Sequence, residues 1–412
     1  MSYDVCVIGG GASGAMAAIA AAGRERSVCL IERNDSIGRK MLLTGKGRCN
    51  ITNTASIDTF ISKFNPKGEF YRTAFFSFSN EDLMEFFRSR GLELKAERQG
   101  RVFPSTNRAA SVVSVLEGCL KEKGVNVILN ERAVGIEGRD NTFTIVCESG
   151  GRIKSKKIII STGGASYKAT GSTGDGFTLA KSLGHEIASL KPALVPLKTK
   201  EAWVKDLQGL GLENVRVTFH CGKKKIASEI GEVMFTHFGV SGPLILDLSG
   251  DVVSALEKIK EIKMTIDLKP GMRDEQLSSR LINKFAVKGN CQMKTLMQDL
   301  LPKRMVDVFL SILNITLSKK TNQITKDERR AIIDTLKAFP LTIIGSLPIE
   351  EAMVTGGGVS RLEIDPRTME SRKARGVYFA GEAIEGAAPS GGYNLQQAFS
   401  TGHLAGMSAA AG

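Results

Sequence analysis

Residues 5–8 form an apolar run with no polar break. Such a run predicts a strand buried on both faces, as in a parallel sheet covered by helices. Small residues follow from Ala12 to Ala22, a helix pattern closed near Gly23, and a second apolar run covers 28–31. Leu83, Phe86 and Phe87 share one face of a helix expected to start at an Asn80 cap and end at Gly91. Val112, Leu116, Cys119 and Leu120 do the same for a helix over 108–123. Residues 125–129 resume the buried strands. Segments 134–137 and 143–148 alternate apolar and polar positions around turn residues 138–141, which predicts an antiparallel excursion. Residues 157–162 and 377–380 read as two further buried strands, ending at Gly163 and Gly164 and at Gly381 and Glu382.

Pro192 and Pro196 mark a change of pattern. Short strands at 215–220 and 232–235 follow, with a polar turn at 222–225. Residues 274–337 read as helix, broken near Asn290 and Pro302, and Thr325 and Glu328 stand in capping-box spacing. The expected organisation is a discontinuous α/β domain of residues 1–190 and 351–412. An inserted domain of residues 191–350 interrupts it, β-rich over 191–270 and mainly helical over 271–350.

Gly9, Gly11 and Gly14 give the first strand–helix turn the G-x-G-x-x-G spacing, and Glu32 ends the second strand eighteen residues after Gly14. The first glycine permits the tight turn, the second lets backbone approach a diphosphate, and the third lets helix pack on strand. The helix N-terminus offers free N–H groups and partial positive charge. Glu32 can accept hydrogen bonds from an adenosine ribose. Strand, helix, second strand and acid together predict a Rossmann-like dinucleotide site. FAD fits better than NAD, because no second fingerprint is present. The run Gly356, Gly357, Gly358 has Arg361 where a third glycine would stand. Glu382 after its strand suits a flavin's ribityl hydroxyls, and a helix beginning near Tyr393 or Asn394 suits the negative charge of a reduced flavin.

Composition narrows the classes. With 412 residues, 42% hydrophobic and 24% charged, the chain can bury a large core in two or three domains. No apolar run reaches membrane-spanning length, and the first strand starts almost at Met1, so no membrane partner and a cytoplasmic location are expected. Seven scattered cysteines without a C-x-x-C pair suit a reducing compartment, and His185, His220 and His403 lack ligand spacing, so no metal is expected. The net charge of +13 arises partly from basic clusters at 39–40, 46–48, 223–225, 303–304, 319–320, 329–330 and 372–375. A solvated basic surface explains these clusters; so does a polyanionic partner such as RNA, held through phosphate contacts with one exposed base entering the site.

Segments 38–53 (GRKMLLTGKGRCNITN), 162–176 (TGGASYKATGSTGDG), 231–243 (GEVMFTHFGVSGP) and 380–402 (AGEAIEGAAPSGGYNLQQAFSTG) carry a family resemblance. The chain resembles, over essentially its whole length, the BaiN/RdsA family of FAD-dependent oxidoreductases. The resemblance implies a Rossmann-like FAD domain of the glutathione-reductase type with an inserted domain. Activities attached to the family are reduction of conjugated C=C bonds in oxo-bile acids, reduction of uridine to dihydrouridine in ribosomal RNA, and oxidation of aminoacetone. Uridine in 23S ribosomal RNA is the preferred substrate on this reading, because it also accounts for the basic charge. A small conjugated ketone, an amine oxidase and a flavin-containing RNA-binding assembly factor are the alternatives.

Motif and resemblance together give an expected cofactor set. Its N-terminal part is Gly9, Gly11, Ala12, Ser13, Gly14, Glu32, Arg33, Arg39 and Lys40. Gly45, Gly47, Arg48, Cys49 and Asn50 follow, then Val134, Thr162, Gly163 and Gly164. Gly381, Glu382, Gly392, Tyr393, Asn394 and Leu395 complete it. With one fingerprint only, NAD(P)H is expected as a transient small-molecule electron donor. Candidate proton donors are Cys49, whose thiol Arg48 could acidify, then Tyr393, with His237 facing substrate. The alternative roles are packing for Cys49, packing or a flavin hydrogen bond for Tyr393, and a structural role for His237. The sequence sets no oligomeric state.

Overall fold

The computed structural model describes residues 2–64, 66–139 and 142–411. The chain divides into two compact units, Met1–Ala193 with Pro348–Gly412, and Leu194–Leu347.

The first unit is built on a seven-stranded sheet. Strand Ser2–Ile8 lies parallel between Val28–Ile31 and Arg152–Ile160. Asn126–Ile128 extends the sheet beyond Val28–Ile31, and Val377–Phe379 joins the far side of Arg152–Ile160. Register sets Val7 beside Leu30 and Ile159, all three fully buried, which is why these runs carry no polar break. Ala133–Arg139 and Thr142–Cys147 add antiparallel strands at one end; the expected turn residues Asp140 and Asn141 lie outside the described residues.

Helix Ala12–Ala22 packs against the C-terminal helix Tyr393–Ala411 almost backbone to backbone. A Cβ at Gly402 would lie 2.2 Å from the Ser13 carbonyl, and one at Gly406 would lie 2.3 Å from the Ala17 carbonyl. Two helix boundaries differ slightly from expectation. Helix Asn80–Arg88 is capped by Ser79, whose hydroxyl accepts from the Asp82 N–H; the Asn80 amide instead donates to the Asn53 and Ala55 carbonyls. The next helix spans Ala109–Glu122. Strands Ile187–Ala193 and Val354–Val359 pair antiparallel within this unit.

In the second unit, strands Gly211–Cys221, Gly231–Phe235, Gly239–Ser241, Leu197–Thr199, Phe339–Ser346 and Ile262–Asp267 pair in that order, and the last returns to the first. This antiparallel ring encloses a core that includes Val217, Phe219, Met264, Ile266, Leu341 and Ile343. Lys224–Ala227 forms a hairpin with Gly211–Cys221. Helices Asp274–Val287, Met293–Met297, Lys303–Ile312 and Lys326–Lys337 follow, the last with the expected Thr325–Glu328 capping box. The helical part therefore stops short of residue 350. Phe339, Leu341 and Ile343 are buried alternately with exposed Pro340 and Ile344, a period of two that makes this segment a strand.

Candidate cofactor and active site

A cleft in the first unit is walled by the turn after the first strand, the end of the second strand, residues 131–133, 161–163 and 170–172, and the start of the C-terminal helix. Gly9 sits at φ +103°, and its Cβ would come 2.7 Å from the Ser161 carbonyl. Gly14 is tighter still, with a Cβ position 1.8 Å from the Gly9 carbonyl. Gly11 lines the cleft and has nothing within 4 Å of its Cβ position. It is also the N-cap of Ala12–Ala22, whose first residues Ala12 and Ser13 line the same cleft. These residues fit a bound diphosphate.

Glu32 is buried at the same wall. Its Oε2 accepts from the Gly10 N–H at 2.7 Å, and its Oε1 accepts from the Asn34 N–H at 2.9 Å and the Asn34 side-chain amide at 2.7 Å. The carboxylate thus braces the glycine turn as well as facing the cleft. Lys40 donates to Glu382 at 2.7 Å and to Ser166 at 2.9 Å, while Glu382 also accepts from the Thr355 N–H at 2.7 Å. Arg33 and Arg132 converge on Asp175, holding its carboxyl below the usual range, mainly through Arg132. Thr162 lines the cleft with a buried hydroxyl that has no hydrogen-bond partner among the described residues.

Of the expected cofactor set, Gly9, Gly11, Ala12, Ser13, Glu32 and Arg33 line this cleft. So do Arg39, Lys40, Thr162, Gly163, Glu382, Asn394 and Leu395. Several others support it from behind. Gly14 packs on Gly9, Gly164 on Thr355, Gly381 on Ser13, and Gly392 on the Thr52 carbonyl. Val134 is 44% exposed, and Glu131, Arg132 and Ala133, at the entry to its strand, form the wall instead. Sequence reasoning missed Asn34, Thr44, Arg132, Asp175, Gly386 and Gln397. Asp175, Thr44, Gly386 and Gln397 lie inside the family segments 162–176, 38–53 and 380–402; Asn34 and Arg132 lie outside them.

Gly45, Gly47, Arg48, Cys49 and Asn50 form a strained loop beside cleft-lining Thr44. Gly45, Lys46, Gly47 and Cys49 all have positive φ. Of the two roles open to Cys49, its surroundings favour packing. It is fully buried, and burial pushes its thiol up to about 11. Arg48 does not acidify it, because the guanidinium pairs with Glu97 at 2.9 Å and lies 4.0 Å over the Phe103 ring. A buried thiol of this kind is a poor proton donor to substrate. Tyr393 sets its ring edge-on to Phe60 at 5.1 Å, with Lys63 over its face. His237 is exposed in the second unit, edge-on to Phe238. No group of metal-ligating side chains occurs among the described residues, and no described helix is long and apolar enough to cross a membrane.

A sheet with a glycine turn, a helix N-terminus and a strand-end acid on one cleft is the architecture of an FAD-dependent oxidoreductase. The chain belongs to the family described as HI0933-like protein Rossmann domain, which residues 3–408 match. It is 33% identical over 406 residues to the 3-dehydro-bile acid delta(4,6)-reductase of Clostridium scindens, with 98% of each chain covered. It is 29% identical over 409 residues to the ribosomal RNA dihydrouridine synthase of Haemophilus influenzae, covering 98% of this chain and 97% of that one. The fold is shared with the 3-ketosteroid delta1-dehydrogenase of Sterolibacterium denitrificans, at a TM-score of 0.54 and 13% identity, covering 100% of this chain and 99% of that one.

Proposed function

We propose that the chain reduces a C=C bond conjugated to a carbonyl, and that its physiological substrate is uridine in 23S ribosomal RNA. The cleft lined by Gly11, buried Glu32 and the Lys40–Glu382 pair supports the cofactor, and the relatives named a bile acid reductase and a dihydrouridine synthase support the reaction class. When bound, FAD supplies two-electron hydride chemistry. The glycine turn and the first helix would hold its diphosphate, Glu32 and Glu382 would accept from its hydroxyls, and the N-terminus of Tyr393–Ala411 would face developing negative charge. NAD(P)H serves as a transient donor. The second glycine run supports this, because Gly356–358 lies inside strand Val354–Val359, where a Cβ at Gly357 would lie 2.3 Å from the Ser189 carbonyl. Those glycines serve strand packing, not a second nucleotide turn.

For the substrate, support comes from the relative named a ribosomal RNA dihydrouridine synthase and from the net charge of +13. Lys46, Arg98 and Lys223, Lys224 and Lys225 make no ion pair among the described residues and remain available to phosphates. A small conjugated ketone is the second reading. It is favoured by the relative named a bile acid reductase and by the ion pairing of Lys40, Arg48 and Lys319 within the chain. A reducing cytoplasm suits either. Mass mapping of 23S ribosomal RNA from a deletion strain tests the choice. Loss of one dihydrouridine, restored by the gene, supports the RNA; unchanged RNA with active ketone reduction supports the second reading.

A further inference from the structure

On the outer face of the second unit's sheet, strand register places three side chains on one rung. His220 stands opposite Lys225 on one neighbouring strand and opposite Lys263 on the other. Phe219, Cys221, Ile226, Ile262 and Met264, which adjoin them along the strands, are buried, so the three point outward. The backbones of Lys225 and Lys263 are two strand spacings apart, about 10 Å. The turn at Gly222 rests on Ile259, whose Cδ1 lies 3.7 Å from the Gly222 Cβ position. That contact joins the segment of Lys258 and Lys260 to the turn of Lys223 and Lys224. All six lysines are exposed, and none forms an ion pair among the described residues. The acids nearby are Asp251, Glu257 and Glu261, and Lys200 holds the last at 2.7 Å. The adjoining rung is Ala227, Thr218, Thr265 and Pro340, which offers no aromatic surface on which a base could stack.

We infer that this face is an anchoring surface for RNA, which grips the phosphate backbone and reads no sequence. The inference rests on the proposed RNA substrate. Lysines gathered on neighbouring strands repel one another. Phosphates relieve that repulsion and release their counterions on binding. The sheet fixes the lysine backbones, so the contacts set the position of the RNA while its bases go unread. None of the six lysines lines the cofactor cleft, so the surface adds affinity without taking part in the reaction.

The test is fluorescence anisotropy of a labelled single-stranded RNA with the FAD-loaded protein across a salt series. Lys225→Gln combined with Lys263→Gln should flatten the log–log salt slope by about 1.4, two contacts at about 0.7 each. The same pair should weaken binding roughly ten- to thirtyfold at about 0.1 M salt. Lys121→Gln combined with Lys123→Gln removes equal charge from exposed positions at the end of helix Ala109–Glu122 and should change neither quantity. Both double variants should melt with the wild type, because all four lysines are exposed and unpaired. Equal losses in the two would mean that net charge alone attracts RNA and would overturn the inference. An unchanged slope in the first variant overturns it as well, as does binding of phosphatidylglycerol vesicles in place of RNA. If uridine reduction persists in the wild type alongside such a result, the surface alone is wrong. If the wild type binds RNA through these lysines yet leaves uridine unreduced, the surface stands and the functional reading fails.

Discussion

Gly11 and Gly14 belong to one motif, yet a side chain at each would meet different surroundings. Gly11→Val finds open space on the protein side, so the apoprotein should melt near the wild-type temperature while FAD retention is largely lost. Gly14→Val drives into the Gly9 carbonyl and should cost about 1–3 kcal/mol of stability, seen as a lower melting temperature even without cofactor. Equal melting of the two variants, or full FAD occupancy in Gly11→Val, would refute this division of roles. Cys49→Ala should keep the wild-type rate and pH profile, because the thiol is buried and titrates only near 11. A large loss of rate with FAD retained would restore it as the acid. The glycines were legible because the motif states their backbone needs. The role of Cys49 was not, since burial and the engagement of Arg48 with Glu97 depend on a chain segment fifty residues away.

Among elements, the contact between Ala12–Ala22 and Tyr393–Ala411 has the most direct consequence, because the N-termini of both helices reach the cofactor cleft. Gly406→Val, far from the cleft along its helix, should separate the pair and lower both thermal stability and FAD affinity. Calorimetry with titrated FAD checks this; unchanged affinity would mean the two helix ends are positioned independently. A second element-level link joins the segment after helix Asp175–Ser182 to residues 363–371. His185 meets Glu363 at 3.0 Å and Ser371 at 2.8 Å. Desolvation lowers the imidazole pKa from 6.5 despite Glu363, so the unfolded chain takes up the proton first. The stability from burying neutral His185 is therefore full above pH about 6.5 and is lost as pH falls below it. Denaturant midpoints for His185→Gln should fall less steeply with acid than those of the wild type; identical slopes would contradict the assignment. The buried strands and amphipathic helices were legible from local periodicity. The Phe339–Ser346 strand was obscured by its place after a long helical stretch, although its alternation was present.

At the scale of the molecule, each unit has its own apolar core, and the chain leaves the first near Ala193 and returns near Pro348. Prolines and a change of period marked the neighbourhood of this division in the sequence. Closure of the second sheet was not legible, because Leu197–Thr199 pairs with Phe339–Ser346 across most of the inserted segment, and pairing over such distances leaves no local pattern. Charge was legible as a total of +13 but not as a surface, since Lys40, Arg48 and Lys319 are engaged in ion pairs with Glu382, Glu97 and Glu328. RNA affinity should accordingly fall with salt at a log–log slope of about −0.7 per phosphate contacted, with fewer contacts than the basic residues alone suggest. The most direct test mixes anaerobically reduced holoprotein with unmodified 23S ribosomal RNA from the deletion strain and, separately, with a conjugated ketone. The account predicts return of the oxidised-flavin absorbance together with a gain of two hydrogens in one uridine of the RNA. Failure of both substrates to reoxidise the flavin, under conditions where the protein retains FAD, would contradict it.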